Sequence, residues 1–173
     1  MPAPGASSLI DRVDEDDRPI GGVRRGDALR LGANFRTVHV FVLHDDQLLL
    51  QQLAPSRERH PGRWGSSAAA YLHSGESYEE AARRRLAEEL GLEGDLTRVG
   101  KTEMRDERSL KFVELYTLED GPARINEPGH IAELAYWDQP DLEDAVESSS
   151  AIFTPTFLHV YRFYQQRLTT AKI

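Results

Sequence analysis

The 173-residue chain has no cysteine. That excludes a disulfide framework, a thiolate zinc site and a cysteine nucleophile. It is also short of positive charge: 21 Lys and Arg stand against 29 Asp and Glu, for a net charge of −8 and a pI near 5.3. This balance disfavours a broad footprint on a phosphate backbone, so no long nucleic acid is expected as a partner. A small phosphorylated ligand is still allowed, because it needs only a local group of cations. No 18-residue apolar run occurs, and the opening "MPAPGASS" has neither the basic flank nor the apolar stretch of a signal peptide. The expectations are no membrane association and a cytoplasmic location.

What is present is an ordinary globular mixture, 39% hydrophobic and 29% charged, in a length suited to one core. Residues 1–8 are small and proline-containing, as a flexible terminus would be, leaving a single domain over 9–173. "LIDRVDEDDRPIGG" predicts a hairpin around an acidic turn. The β-branched run Val38 to Leu43, the turn His44-Asp45-Asp46 and then Leu48 to Leu50 predict central strands buried on both faces. "RHPGRWG" is a loop. "LTRVGKTEM", "LKFVELYTL" and "IAELAYW" alternate as further strands. A short helix starts at Pro140, and a last helix has Thr154 as N-cap, Pro155 in its first turn and Phe157, Tyr161, Tyr164 and Leu168 on one face. Strands mixed with two substantial helices point to α+β or a three-layer α/β/α sandwich.

The best helix signal runs from Tyr78 to Leu90. Ser77 and Glu80 form a capping-box pattern, and Gly91 supplies the stop. Ala82, Leu86 and Leu90 make an apolar stripe, while Arg84, Arg85, Glu88 and Glu89 share a neighbouring face. One explanation is a solvated face with Arg84–Glu88 and Arg85–Glu89 pairs, each worth a few tenths of a kcal/mol. The other is that Glu76, just before the N-cap, joins Glu88 and Glu89 around a divalent cation, since Mg²⁺ suits a few carboxylates together with phosphate oxygens.

These residues carry a resemblance. The Nudix box has the pattern Gly-x5-Glu-x7-Arg-Glu-U-x-Glu-Glu-x-Gly-U, with U aliphatic. Here Ala70-x5-Glu76-x7-Arg84-Arg85-Leu86-Ala87-Glu88-Glu89-Leu90-Gly91-Leu92 matches seven of the nine defined positions. The hairpin, "PGRW", "GESYEEAA" and "FTPTF" resemble more narrowly the branch related to isopentenyl-diphosphate isomerase, over roughly residues 9 to 168. The resemblance implies a Nudix α/β/α sandwich with a mixed central sheet and an N-terminal β-hairpin. It implies Mg²⁺, with Mn²⁺ as an alternative, held by Glu76, Glu88 and Glu89, and Arg84 orienting a carboxylate. It further implies hydrolysis of a nucleoside di- or triphosphate or another diphosphate-linked metabolite, with a homodimer as an assembly common among such proteins.

Two positions depart from the pattern. Arg85 stands where the family has a glutamate that binds metal or activates water; arginine carries no acceptor and stays protonated, so it can do neither. Ala70 replaces the first glycine, which suggests a different loop geometry. A binding or regulatory protein that has lost catalysis is therefore the alternative function. Isomerase activity is disfavoured, because the cysteine position of that branch corresponds to Ala69 and a histidine position to Tyr71. Candidates to replace the lost base are Glu127, His130 and above all Glu133, in the region that often supplies a late catalytic carboxylate; Glu88, Glu89 and Glu133 form the expected catalytic set. Arg57, Arg59 and Arg63 around Pro61, together with His73, are the expected substrate-phosphate contacts, against the alternative of solvated loop residues. His39, in an apolar strand, is expected to be a hydrogen-bonded structural histidine, and Trp64 to belong to the core.

Overall fold

The structure, a computed structural model, describes residues 5, 7–119 and 123–171; most of the segment expected to be flexible lies outside them. The hairpin forms as anticipated, β1 (Leu9–Val13) antiparallel to β2 (Pro19–Arg24). A seven-stranded mixed sheet follows: β3 (Phe35–His44), β4 (Gln47–Leu53), β5 (Trp64–Gly65), β6 (Ala68–Tyr71), β7 (Thr97–Asp106), β8 (Ser109–Glu119) and β9 (Ile131–Asp138). Helices α1 (Tyr78–Leu90), α2 (Gln139–Ser148) and α3 (Pro155–Ala171) complete it.

β3 organises the sheet. One edge runs parallel to β8 from Phe35↔Lys111 to Leu43↔Glu119. The other is shared: β4 pairs with it only at Leu43↔Leu48 and His44↔Gln47, and β6 takes over from Thr37 to Val40. The tight β3–β4 turn uses Asp45 and Asp46 at φ 48° and 66°, the left-handed pair a two-residue hairpin demands. Beyond it the strands diverge, and β4 pairs instead with β9 and β5. Ser67 knits the fork: its hydroxyl donates to Leu49 O (2.5 Å) and accepts from Val42 N–H (2.8 Å).

Alternation along β3 builds two cores. Val38, Val40 and Val42 pack with Leu49 against Ala82, Leu86 and Leu90 of α1. On the opposite face Phe41 packs with Leu48 and Leu50 against Leu142 of α2 and Phe157, Tyr161 and Tyr164 of α3. The sandwich is thus α/β/α. Burial of Leu86 and Leu90 is worth about 1.5–3 kcal/mol each and fixes the rotation of α1 about its axis, and hence the face that carries its charges. Leu168 departs from the expected stripe and is exposed, one turn past the sheet-covering residues. Ala70 lies in β6 opposite Val38 rather than in a loop, in extended backbone where a side chain is tolerated. Among the described residues no helix is long and apolar enough to cross a membrane.

Candidate active site

Ser77 caps α1 by accepting from Glu80 N–H (3.1 Å), and Gly91 closes it in the left-handed conformation at φ 64°. The segment that begins at residue 123 is sewn onto that end. Arg124 N–H bonds to Leu90 O (3.2 Å), Asn126 N–H to Glu89 O (2.9 Å), and the Asn126 amide to Ala87 O (3.1 Å). These bonds satisfy terminal carbonyls of the helix. They also deliver Glu127 and His130 to the face that carries Glu88 and Glu89. A turn in which Glu127 O accepts from His130 and Ile131 N–H then leads into β9.

The result is a cluster in which donor atoms of Glu89, Glu127 and His130 lie within 4.8 Å of one another. Arg85 is inserted into it. Its Nε lies 3.0 Å from Glu89 Oε1, its Nη1 3.0 Å from Glu88 Oε2 and 3.4 Å from Glu127 Oε1, and its Nη2 2.9 Å from His130 Nε2. Nε–H also donates to Ala69 O (3.1 Å). The expected Arg84–Glu88 and Arg85–Glu89 pairs both exist, but on a half-buried face rather than a solvated one.

Glu89 is the deepest member, with its side chain 1% exposed. Burial pushes its carboxyl up to about 7, against the pull of Arg85, the Ala69 N–H and the Gln51 amide. His130 Nε2 faces donors from both Arg85 and Arg57, so it must be the acceptor, with the ring neutral. Burial and those two guanidinium groups hold His130 down to about 3.

Glu76 stands apart from the cluster. Arg84 grips it with Nε on Oε2 (2.8 Å) and Nη2 on Oε1 (3.0 Å), and the same Nη2 reaches Tyr71 O. Arg84 Nη1 also reaches Glu88 Oε1 (3.2 Å), so Glu76 is linked to Glu88 through this guanidinium rather than gathered with Glu89, Glu127 and His130. Glu133 is not brought to the site either: it lies exposed on β9 opposite Gln52, and the tethered loop puts Glu127 and His130 there instead.

The cluster forms one wall of a cavity of about 430 Å³ that opens where β3 and β4 part. Arg57, Arg59 and His73 line it, whereas Arg63 does not. Sequence reasoning missed Gln51 and Lys111, lone polar residues in apolar strands, which was the signal available. Lys111 is bonded to Asp106 (3.0 Å) and Thr156 (2.6 Å), and Asp106 also takes the fork of Arg59. These two cations and the side-chain hydrogen bond from Arg59 outweigh burial and hold Asp106 down to about 2. His39, also lining the cavity, is bonded to Ser66 (2.6 Å) and pushed down to about 3 by burial. Carboxylates and imidazoles thus share the cavity with guanidinium and ammonium groups, and Arg57 meets the cluster directly at His130.

By donor chemistry the acidic wall fits a divalent cation. The carboxylates of Glu89 and Glu127 and a neutral imidazole converge, with Glu88 joined to them through Arg85, a mixed oxygen and nitrogen set that Mg²⁺ or Mn²⁺ can use. In the structure the Arg85 guanidinium is the cation that compensates them.

A mixed sheet between helices, with this box forming strand, loop and helix at its edge, defines the Nudix class. The model of the NUDIX domain matches residues 33–157, and the chain belongs to that family. It is 29% identical over 161 residues to an uncharacterised Nudix hydrolase of Pseudomonas aeruginosa, covering 91% of this chain and 94% of that protein. It is also 29% identical over 161 residues to an isopentenyl-diphosphate Delta-isomerase of Nocardia farcinica, covering 87% and 91%. In fold it is similar to DR0079 from Deinococcus radiodurans, with a TM-score of 0.76, 24% identity and coverage of 89% of this chain and 97% of that one. The NUDIX domain of Shewanella oneidensis NrtR, crystallised with ADP ribose, gives a TM-score of 0.60 at 20% identity over 79% and 89%.

Proposed function

We propose that the chain is a hydrolase of a small-molecule diphosphate, with Glu88, Glu89, Glu127 and His130 as the residues that hold Mg²⁺. The observation that carries this is a single cavity lined both by that cluster and by Arg57, Arg59 and Lys111. When bound, the metal supplies charge neutralisation on phosphate oxygens and a more acidic water. These cationic side chains fix the diphosphate beside the cluster. The water oxygen forms the new bond to phosphorus and the bridging P–O bond breaks. The proton passes to a carboxylate of the cluster. Arg84 keeps Glu76 in place beneath the loop, as a positioning residue.

A second reading, binding without turnover, is favoured by the placement of Arg85 against all four donors. Isomerisation, the activity in the name of the Nocardia relative, is disfavoured: Ala69 lines the cavity at the cysteine position of that branch, with no thiol anywhere in the chain. The test is release of phosphate or nucleotide from ADP-ribose, nucleoside di- and triphosphates and isopentenyl diphosphate, with Mg²⁺ or Mn²⁺. Turnover of at least one, abolished in the double variant Glu88→Gln, Glu89→Gln, is expected. No release above that variant for any compound would refute the hydrolase.

A further inference from the structure

Resting on the reading of the cavity as a diphosphate site, we infer that Arg85 is the site's own cation: it captures a diphosphate without divalent metal, and metal and guanidinium exclude one another.

Arg85 is built into the wall. Its side chain is 14% exposed, its Nε–H is anchored on Ala69 O, and its two terminal nitrogens are divided among Glu88, Glu127 and His130. Every donor that would hold a metal therefore already faces one positive group. A divalent ion at the same donors would sit within a few ångströms of the guanidinium, whose hydrogen bonds already occupy them, so occupancy requires Arg85 to leave.

Arg57 shows where an anion goes. Its Nη1 meets the same His130 Nε2 that Arg85 Nη2 meets, so two guanidinium groups share one neutral acceptor. Among the described residues Arg57 has no carboxylate ion-pair partner. Like charges held this close are relieved by an anion that both can reach. A phosphate oxygen is a stronger acceptor than an imidazole nitrogen, and the planar fork of arginine matches phosphate geometry. The pair needs no metal to bind it.

The test uses full-length, chelator-treated protein and two probes: Mn²⁺ alone, followed by electron paramagnetic resonance, and inorganic pyrophosphate, followed by calorimetry in EDTA and in Mg²⁺. Wild type is expected to bind pyrophosphate in EDTA. Arg85→Gln is expected to lose about tenfold or more of that affinity and to gain about tenfold or more for Mn²⁺, the value of one charge-assisted contact. Arg85→Lys, which keeps the charge without the fork, is expected to bind Mn²⁺ as weakly as wild type while losing pyrophosphate affinity. Equal Mn²⁺ affinity in wild type and Arg85→Gln would overturn the exclusion. Pyrophosphate binding by wild type only with Mg²⁺ present would overturn metal-free capture while leaving the hydrolase reading standing. No pyrophosphate binding under either condition would overturn capture and the diphosphate site together.

Discussion

Asp17 supports a strong prediction about how the site is held. It lies in the β1–β2 turn with φ 63° and a side chain 7% exposed. Its carboxylate accepts from Arg36 Nε (2.6 Å), the Tyr78 hydroxyl (2.8 Å) and Lys101 Nζ (2.5 Å). Tyr78 is the first residue of α1, so one carboxylate joins the hairpin, β3, β7 and the helix that carries Glu88 and Glu89. Asp17→Ala strands the Tyr78 hydroxyl and the Arg36 Nε–H. A stranded buried donor costs about 1–3 kcal/mol, more if charged. Alanine in left-handed backbone adds about 1 kcal/mol. Lys101 is 36% exposed and can turn to water, and Arg36 keeps Asp17 O, so the sum is discounted to about 3 kcal/mol. Asp17→Asn, which tolerates the backbone and keeps an acceptor, should cost about half as much. Equilibrium urea unfolding measures both. Burial alone would raise the Asp17 pKa, but its three donors together hold it below the ordinary value, so its contribution is present above pH 3.8 and lost in stronger acid. A cost for Asp17→Ala within about 1 kcal/mol of zero, the range of an exposed pair, would refute the clamp.

Acid should weaken the fold above the ordinary carboxylate range. His39 is pushed down to about 3 from an ordinary 6.5, so the unfolded chain takes up a proton across that window while the folded one does not. Stability falls as pH drops from 6.5 toward 3, by up to about 1.4 kcal/mol per pH unit from this one group. His130 acts with the same sign and Glu89, pushed up to about 7, with the opposite one. Unfolding free energies at pH 7, 6 and 5 check this: His39→Gln should flatten the slope, and stability rising on acidification would contradict it. Gly91→Ala places a Cβ 2.7 Å from Arg124 Nε and 2.9 Å from Asn126 Nδ2 in left-handed backbone. It should cost about 1–2 kcal/mol by thermal unfolding and speed hydrogen exchange at Asn126, whose N–H bonds Glu89 O; exchange unchanged from wild type would contradict this coupling.

α1 was legible to the residue because its signals are local: a capping box, an apolar stripe and a glycine stop. β3 and β4 were legible through alternation, and Glu88 and Glu89 through spacing on a helix. What escaped depends on distant hydrogen bonds. The loop that brings Glu127 and His130 to the cluster is sewn to α1 through backbone bonds, which no periodicity encodes, and Glu133 lies exposed on β9 beside a register shift. Asp17 belongs to an acidic turn in sequence, and only the packing of Tyr78, Arg36 and Lys101 around it makes it a buried hub. The residue type at position 85 announced a conflict with metal, and its direction, into the carboxylates, follows from the anchor on Ala69 O.

The most direct measurement is diphosphate hydrolysis in saturating Mg²⁺ by wild type and Arg85→Glu, across the same panel of compounds. With the guanidinium gone and a carboxylate in its place, the variant is expected to turn over at least about tenfold faster than wild type, a barrier lowered by roughly 1.4 kcal/mol. A folded Arg85→Glu protein that is no faster, or is slower, would contradict a metal-dependent diphosphate site held in check by Arg85.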